Sequence, residues 1–413
     1  MQIRTSPRIA QLRVPNGAGP GLSTKDADLR VRAACGPDVL DTTHFDTVAF
    51  PVPPYALEMF SRAAQDGALA YTPYRGHPEV LEVVARSVSK LLGISVDPGS
   101  QVLLTPGTQA ALFAALSSLV GTGTRVIVPT PEYVFDERIL GFLGADIVTV
   151  PLRVDDHGAS LDLAALESAA ATGPAVLLLS HPNNPTGAVY PRQMMEQVAR
   201  IAREHDLVVI VDQLYARLLH GDAELVHLAA LPGMAERCVT LLGPSKTESL
   251  SGYRIGVAIA PAELVDTMED VLAITALRAP GYAQHVLTGW LTQDRDWLAE
   301  RLEAFTRLRH TTVERLRMLP WLRIHPQDGT AYVFPDVSAL GLPDVVVAER
   351  LAHDAGVLVS PGYHFGPGGR GHFRLCYARD EAEWDKALDR IVRVLGDLAR
   401  EQGISAEPTG SLA

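Results

Sequence analysis

Between residues 101 and 260 the chain alternates short apolar runs with segments of helical periodicity, and this alternation constrains the fold most. Strand-length apolar runs separated by helices are typical of a mostly parallel sheet with helices on both faces. Ligands of such sheets bind beyond the carboxyl ends of the strands. The predicted strands are 102–104, 125–128, 147–150, 175–179, 207–211, 239–242 and 255–260.

After about residue 285 the pattern changes to long amphipathic helices over 294–318 and 380–400, with short strands near 331–334 and 373–377. This change predicts a smaller α+β lobe beside a three-layer α/β domain, as expected for a chain of 413 residues. The predicted division is a flexible segment 1–30, the first part of the small domain 31–65, the large domain 66–285, the rest of the small domain 286–403, and a flexible tail 404–413.

Charge and apolar content exclude several classes of protein. The net charge of -12 has no basic stripe, so neither nucleic acid nor an anionic membrane is expected as a partner. No apolar run approaches the roughly 20 residues of a membrane span, and the start does not resemble a secretory signal, so the expected location is the cytoplasm. Cys35, Cys238 and Cys376 are far apart and predict neither a disulfide nor a metal site.

Polar clusters follow several of the predicted strands. They occupy 180–187, 212–215 and 243–247, and a glycine-flanked arginine follows at 252–256. Each cluster alone has an ordinary structural interpretation: a strand-ending turn, a helix cap or ion pair, or a solvated loop lysine. Together at one sheet edge, they predict a ligand site.

The order of these motifs resembles that of a known family. Asn-Pro-Thr-Gly (184–187), Asp-x-x-Tyr (212–215), Ser-Lys (245–246) and Gly-x-Arg-x-Gly (252–256) follow one another as in the class I/II aminotransferases. These are fold-type I, aspartate aminotransferase-like enzymes that depend on pyridoxal 5'-phosphate. The resemblance covers roughly residues 45 to 395, with further landmarks at 71–76, 106–110, 129–133, 329–332, 361–362, 365–366 and 373–375.

The resemblance implies that Lys246 holds pyridoxal phosphate as a Schiff base and acts as the proton-transfer base. A primary amine suits both tasks. The chain has only four lysines, and Lys25, Lys90 and Lys386 lie outside the motifs.

The resemblance also implies which residues bind the phosphate of the cofactor. Arg254 matches the family's phosphate-binding arginine, and a guanidinium suits a dianionic oxyanion. Ser245 adds a hydroxyl. Gly107, Thr108 and Gln109 open a predicted helix over 110–120, whose N-terminus can receive the same group.

Four further residues are expected around the cofactor ring. Asp212 would pair with the ring nitrogen, so that the ring can accept electrons. Asn184 and Tyr215 would donate toward the 3-oxygen, and Tyr133 would stack on the ring face. We count Lys246, Asp212 and Tyr215 as catalytic candidates.

Substrate contacts are implied at Arg374, which matches the family's arginine for the α-carboxylate, and at Asn184. Tyr71 matches a tyrosine that reaches the neighbouring subunit's phosphate, which implies a homodimer with shared sites. Arg278 is a candidate for a substrate's distal carboxylate, with a surface salt bridge as its alternative. His44, Tyr74 and His364 are further pocket candidates, although each is an ordinary loop residue otherwise.

The sequence departs from the family pattern at three places. Gly243 stands where many relatives carry a second phosphate-binding hydroxyl. Gln213 replaces a common Glu after the ring-pairing acid. The segment 45–51 lacks the glycine that lets the backbone approach the substrate.

The sequence therefore predicts an aminotransferase that moves an amino group between an L-amino acid and a 2-oxo acid, with specialised amino acid biosynthesis as one conceivable role. The same cofactor motifs serve elimination, cyclisation, decarboxylation or oxidation of amino acids, which the motifs cannot separate. A non-catalytic effector-binding module and a Ser-Lys hydrolase built on Ser245 and Lys246 are remoter alternatives.

Overall fold

A computed structural model describes residues 6–12, 39–45, 47–65 and 70–405. The strands are β1 (Leu40–Asp41), β2 (Val102–Thr105), β3 (Arg125–Thr130), β4 (Asp146–Asp155), β5 (Gly158–Leu161), β6 (Val176–Ser180), β7 (Val208–Asp212), β8 (Cys238–Leu242), β9 (Gly256–Ile259), β10 (Tyr332–Val333), β11 (Val357–Leu358), β12 (Ser360–Pro361) and β13 (Phe373–Cys376).

The helices flank these strands along the chain. They are α1 (Pro54–Gln65), α2 (Pro78–Leu92), α3 (Thr108–Leu119), α4 (Asp136–Leu143), α5 (Leu163–Ala170), α6 (Arg192–Glu204), α7 (Ala262–Thr275), α8 (Gly281–Gln284), α9 (Arg295–Leu316), α10 (Asp344–Asp354) and α11 (Glu381–Glu401).

Eight strands form the central sheet, in the order β2-β9-β8-β7-β6-β3-β4-β5. The inner strands β8, β7, β6, β3 and β4 are parallel to one another. Strand β9 runs antiparallel to both of its neighbours, and β5 runs antiparallel to β4. The predicted mostly parallel sheet is confirmed.

Alternate residues of the buried strands serve two hydrophobic cores, one on each face of the sheet. In β6, Leu177 and Leu179 belong to one core, whereas Val176 and Leu178 belong to the other. This follows from the period of two along a strand. Helices therefore cover both faces, and polar side chains gather at the strand ends.

Helix α6 shows how a helix attaches to this sheet. Its buried residues recur at three- and four-residue spacing, which gives one apolar face, and the other face is charged. The buried set is Met195, Val198, Ala199, Ile201 and Ala202.

The C-terminal part of the chain forms a second core around α9, α10 and α11 with the short strands β10, β12 and β13. The N-terminal segment joins it, because β1 pairs in parallel with β11 and Phe45 packs edge-on against Phe305. The predicted boundaries between the two domains stay predictions.

Some predictions fall partly outside the described residues, among them most of the segment 1–30 and of the tail 404–413. Within the first segment Pro7–Leu12 forms a short 3-10 helix, and the Arg8 guanidinium lies 5.9 Å from the Phe142 ring. Cys238 and Cys376 are buried free thiols, and Cys35 lies outside the described residues. In the described ranges, every helix is too short or too polar to cross a membrane.

Candidate active site

A cavity of about 290 Å³ opens at the carboxyl end of the parallel strands, between the sheet and the second core. Strand geometry explains why distant residues meet there, since parallel strands end at the same edge. The predicted site residues that line this one cavity are Thr108, Gln109, Tyr133, Asn184, Asp212, Tyr215, Ser245, Lys246, Arg254 and Arg374.

One end of the cavity suits a phosphate. Arg254, Ser245 and Thr108 line it, and α3 begins at Thr108 with its backbone N–H groups unpaired within the helix. The Arg254 guanidinium is fixed by donation to the Ser251 carbonyl at 2.9 Å.

Gly107 adjoins this end of the cavity and has to be glycine for two reasons. Its φ is +84°, and a Cβ there would clash with the guanidinium of Arg254. A Cβ on Gly256 would likewise lie 2.6 Å from the Thr108 nitrogen. The backbone therefore approaches Arg254 more closely than any side chain would permit.

The departure at Gly243 has a local explanation. A Cβ at this position would lie 2.8 Å from Oγ1 of Thr108. The Thr108 hydroxyl thus occupies the space beside residue 243, so a hydroxyl is still present at this end of the cavity. For the other changed position, Gln213, the side chain faces His227 at 2.8 Å.

Asp212 ends β7 and borders the cavity. One carboxyl oxygen accepts the Leu214 N–H at 2.9 Å. Burial among protein atoms raises the pKa of Asp212 to about 6, and the hydrogen bond from Leu214 and the positive charge of Lys246 oppose that rise. Lys246 itself lies with its Nζ 5.7 Å from the centre of the Phe45 ring.

Arg374 comes from β13 in the second core and is buried. It donates to Oδ1 of Asn184 at 2.7 Å and to the Thr43 carbonyl at 2.7 Å. Its guanidinium also lies 4.1 Å from the Tyr332 ring. The Nε of Arg374 has no hydrogen-bond partner among the described residues, so a buried cation retains a donor.

The aromatic candidates are held by hydrogen bonds at their hydroxyls. Tyr133 donates to Gln109 at 2.9 Å, and the Tyr215 hydroxyl lies 3.0 Å from that of Tyr332. Because the Oδ1 of Asn184 already accepts from Arg374, its amide N–H groups are the ones left to donate.

Several cavity residues carried no role in the sequence analysis. Tyr332 stood in a family landmark without an assigned contact, and Thr43 and Phe365 were not singled out as individual site residues. His364, an optional candidate, does line the cavity. Burial, helped by the charges of Arg138 and Arg374, lowers the pKa of His364 to about 3, so it is neutral near pH 7.

Tyr71 and Arg278 lie together, but they do not line the cavity of their own chain. The Arg278 guanidinium stacks between two rings, 4.6 Å from that of Tyr71 and 4.0 Å from that of Tyr74. Tyr71 is 81% exposed. This stacked surface group borders a second, more open cavity of about 630 Å³ that Tyr71 also lines.

Comparison with known proteins agrees with the geometry. Residues 44–391 match the family described as aminotransferase class I and II. The chain is 34% identical to the arginine–pyruvate transaminase of Pseudomonas aeruginosa, over 82% of this chain and 86% of that one. It is 30% identical to an aspartate aminotransferase of Pyrococcus abyssi, over 84% and 89%.

A solved structure supports the same conclusion. The crystal structure of an aspartate aminotransferase from Rhodobacter sphaeroides superposes with a TM-score of 0.84 at 36% identity, covering 87% of this chain and 92% of that one. The protein therefore belongs to the class I and II aminotransferases and is an aminotransferase.

Proposed function

We propose that the cavity binds pyridoxal 5'-phosphate and that the enzyme transfers the amino group of an L-amino acid to a 2-oxo acid. The observation that carries the proposal is the meeting of Lys246, Asp212, Arg254 and Arg374 around one cavity of about 290 Å³. An amine, an acid and two guanidinium groups match an aldehyde, a pyridine nitrogen, a phosphate and a carboxylate, respectively.

The donor set fits the cofactor at the phosphate end in particular. Arg254, Ser245, Thr108 and the start of α3 supply charge, hydroxyls and backbone N–H groups, and Gly107 leaves the space open. When bound, pyridoxal phosphate supplies an aldehyde that condenses with amines and a ring that withdraws electrons from the substrate's α-carbon.

Lys246 and Asp212 perform the two acid–base tasks. Lys246 provides the amine that holds the cofactor, and once released it moves the α-proton of the substrate. Asp212 holds a proton at the ring nitrogen through its negative charge. Burial raises the pKa of this carboxyl to about 6, so Asp212 is mostly ionised near pH 7, and a cationic ring nitrogen beside it would favour the ionised form further.

Arg374 orients the substrate. Its remaining N–H donors and its contact with Tyr332 suit an α-carboxylate in the cavity, and Asn184 lies beside it at 2.7 Å. Since Arg374 belongs to the second core and Asn184 to the sheet edge, a substrate bound here would contact both parts of the molecule.

A homodimer with shared sites is part of the proposal. Tyr71 and Tyr74 are exposed against the Arg278 guanidinium, and Leu277, the residue before Arg278, is exposed as well. Exposed apolar patches of this kind often mark a protein interface. In a two-fold dimer this surface of one subunit could reach the cavity of the other, which would place Tyr71 at the phosphate.

The test is a panel of amino donors added to the protein loaded with pyridoxal phosphate, read by absorbance. At least one L-amino acid should convert the bound cofactor to its pyridoxamine form, and a 2-oxo acid should reverse the change. Borohydride reduction followed by peptide mass spectrometry should place the cofactor on Lys246.

Lys246→Ala should lower turnover by on the order of 10³-fold or more, because it removes both the anchor and the base. Lys386→Ala, at an exposed position of α11, is the matched control and should behave as wild type. A different result would contradict transamination: no amino donor converts the cofactor to its pyridoxamine form, yet amino acids are still consumed. Elimination, cyclisation, decarboxylation or oxidation of the amino acid would then replace transamination as the proposed reaction.

A further inference from the structure

Glu132 is a buried carboxyl just beyond the end of β3 that has no role in the chemistry above. It is 3% exposed and follows Pro131 at the sheet edge. We propose that Glu132 is a positioning residue, which fixes Tyr133 and Asn184 on two sides of the cofactor cavity. The inference rests on the proposed function, because these two side chains are expected to contact the cofactor ring.

The first connection is direct. Oε1 of Glu132 accepts the backbone N–H of Tyr133 at 2.9 Å. This bond fixes the direction in which the Tyr133 side chain leaves the backbone, and the Tyr133 hydroxyl is held separately by Gln109 at 2.9 Å. The ring is therefore anchored at both ends.

The second connection runs through Ser180, the last residue of β6. Glu132 accepts the Ser180 backbone N–H at 2.8 Å and also its hydroxyl. The Ser180 oxygen in turn accepts the backbone N–H of Asn184 at 3.0 Å. Asn183 bridges Glu132 and Ser180, with its amide nitrogen 3.3 Å from each. The turn that carries Asn184 is thus shaped by one carboxyl.

The pattern of donors explains why a carboxylate occupies this position. All four groups around Glu132 donate: two backbone N–H groups, a hydroxyl and an amide. Two carboxylate oxygens can accept four hydrogen bonds, whereas glutamine would turn an N–H group toward one pair of donors. Burial, aided by the charge of Asp212, raises the pKa of Glu132, and the hydrogen bonds from Ser180 and Tyr133 oppose this rise.

The network also reaches the substrate side. Asn184 accepts from Arg374 at 2.7 Å, and the backbone N–H of Glu132 donates to the Phe365 carbonyl at 3.1 Å. The Phe365 ring lies 4.9 Å from the Arg374 guanidinium. Glu132 therefore contacts both the sheet edge and the loop of Phe365 beside Arg374. These two contacts set the distance between the sheet edge and that loop.

The test compares Glu132→Gln, Ser180→Ala and Asp136→Asn. Ser180→Ala removes the hydroxyl bond to Glu132 and the bond to Asn184, and leaves Tyr133 in place. Asp136→Asn is the matched control, since Asp136 is another buried carboxyl, 3% exposed, whose charge acts on Glu132 without sharing its hydrogen bonds. Each variant is measured for apoenzyme melting, for the induced circular dichroism of the bound cofactor, and for kcat and KM.

We expect Glu132→Gln to change the induced circular dichroism and to lower kcat/KM by on the order of 10²-fold, as misplacement of reacting groups does. Ser180→Ala should give a smaller change of the same kind, and Asp136→Asn should resemble wild type. A double-mutant cycle combines Glu132→Gln with Asn184→Ala. The loss of transition-state stabilisation, calculated from kcat/KM, should be smaller for the double variant than the sum of the losses of the two single variants.

The proposal is overturned if Glu132→Gln leaves the circular dichroism band and kcat/KM unchanged, if the cycle is additive, or if Asp136→Asn matches Glu132→Gln. Should Glu132→Gln fail to melt cooperatively, Ser180→Ala decides, and wild-type behaviour of that variant overturns the proposal. Failure of the proposed function would show differently, as a wild-type protein that binds no pyridoxal phosphate.

Discussion

The protein interior changes the acidity of individual carboxyl groups, and Asp212 is the case closest to the chemistry. Its pKa of about 6 reflects burial that only the Leu214 N–H and the Lys246 charge offset. Ionising this carboxyl in the folded protein therefore costs more free energy than ionising it in water. The site therefore has unfavourable free energy stored at Asp212 before any ligand binds.

This gives a pH-dependent prediction for the apoenzyme. The folded pKa of Asp212 lies above its unfolded value of 3.8. Between about pH 4 and 6, Asp212 is therefore protonated in the folded state but ionised in the unfolded state. The contribution of Asp212 to stability is fully present below pH 4 and is lost as the pH rises through 6.

Asp212→Asn should therefore become more stable than wild type as the pH rises from 4 to 6, and the difference should stay constant above. Its size should be on the order of 2 kcal/mol, allowing for partial exposure to the cavity. Denaturant unfolding of the two apoenzymes across this range measures it. The exposed Asp222→Asn should show no such trend, and a flat difference for Asp212→Asn would refute the assignment.

At the residue scale, the sequence alone predicted which polar residues lie at or just beyond the ends of the parallel strands, such as Asn184 after β6, Asp212 at the end of β7 and Lys246 after β8. Parallel strands bring such positions to one edge whatever the details of packing. It could not predict that Arg374 bonds Asn184 or that Tyr332 pairs with Tyr215. Those contacts depend on how the second core packs over the sheet, which a linear pattern does not record.

Among the elements, helix α9 is hydrogen-bonded to the loop that carries Lys246. Arg301 of α9 is 6% exposed and donates to the Thr247 carbonyl at 3.0 Å and the Ser249 hydroxyl at 2.6 Å. It also donates to the Pro51 carbonyl. One side chain thus ties the N-terminal segment, the loop of Lys246 and the long helix together.

Arg301→Gln should destabilise the protein by about 2–3 kcal/mol, because buried carbonyl groups lose a charged donor. It should also weaken cofactor binding, since the loop of Lys246 loses its support. Arg301→Lys should recover only part of the loss, because an ammonium lacks the planar fork. Chemical unfolding and cofactor titration measure the two effects.

Arg307→Gln, at an exposed position of the same helix, serves as the control and should leave both quantities unchanged. Equal unfolding free energies for wild type and Arg301→Gln would show that the contact contributes nothing.

An apolar run in the sequence predicts where a strand lies, but not the direction of that strand in the sheet. The buried strands of the sheet were predicted where they occur, because a continuous apolar run bounded by polar residues leaves little choice. The antiparallel direction of β9 and the ribbon formed by β4 and β5 were not predicted. Direction depends on the path of the connections, and the exposed end of β4 has no apolar continuity to identify it.

For the whole molecule, Tyr71 is exposed and does not line the cavity of its own chain, which leads to a test with mixed subunits. Hybrids of Lys246→Ala and Tyr71→Ala, purified with two different tags, carry one intact site if Tyr71 serves the neighbouring cavity. Such hybrids should recover about half of the wild-type activity, since one of two sites is complete.

A hybrid of Lys246→Ala with wild type provides the reference for one working site. If Tyr71 acts within its own subunit, the mixed hybrid will be no more active than half of Tyr71→Ala itself. A monomeric wild type in light scattering would remove the basis of the test and of the shared-site proposal.

The pairing of β1 with β11 has a consequence for biosynthesis on the ribosome. The hydroxyl of Thr42 bonds the Leu358 carbonyl across 316 positions of sequence. Strand β1 thus has to wait, unpaired, until the residues between it and β11 have been translated. Meanwhile the eight-stranded sheet, complete by Ile259, can already assemble. The nascent chain consequently exposes an edge that chaperones would be expected to shield.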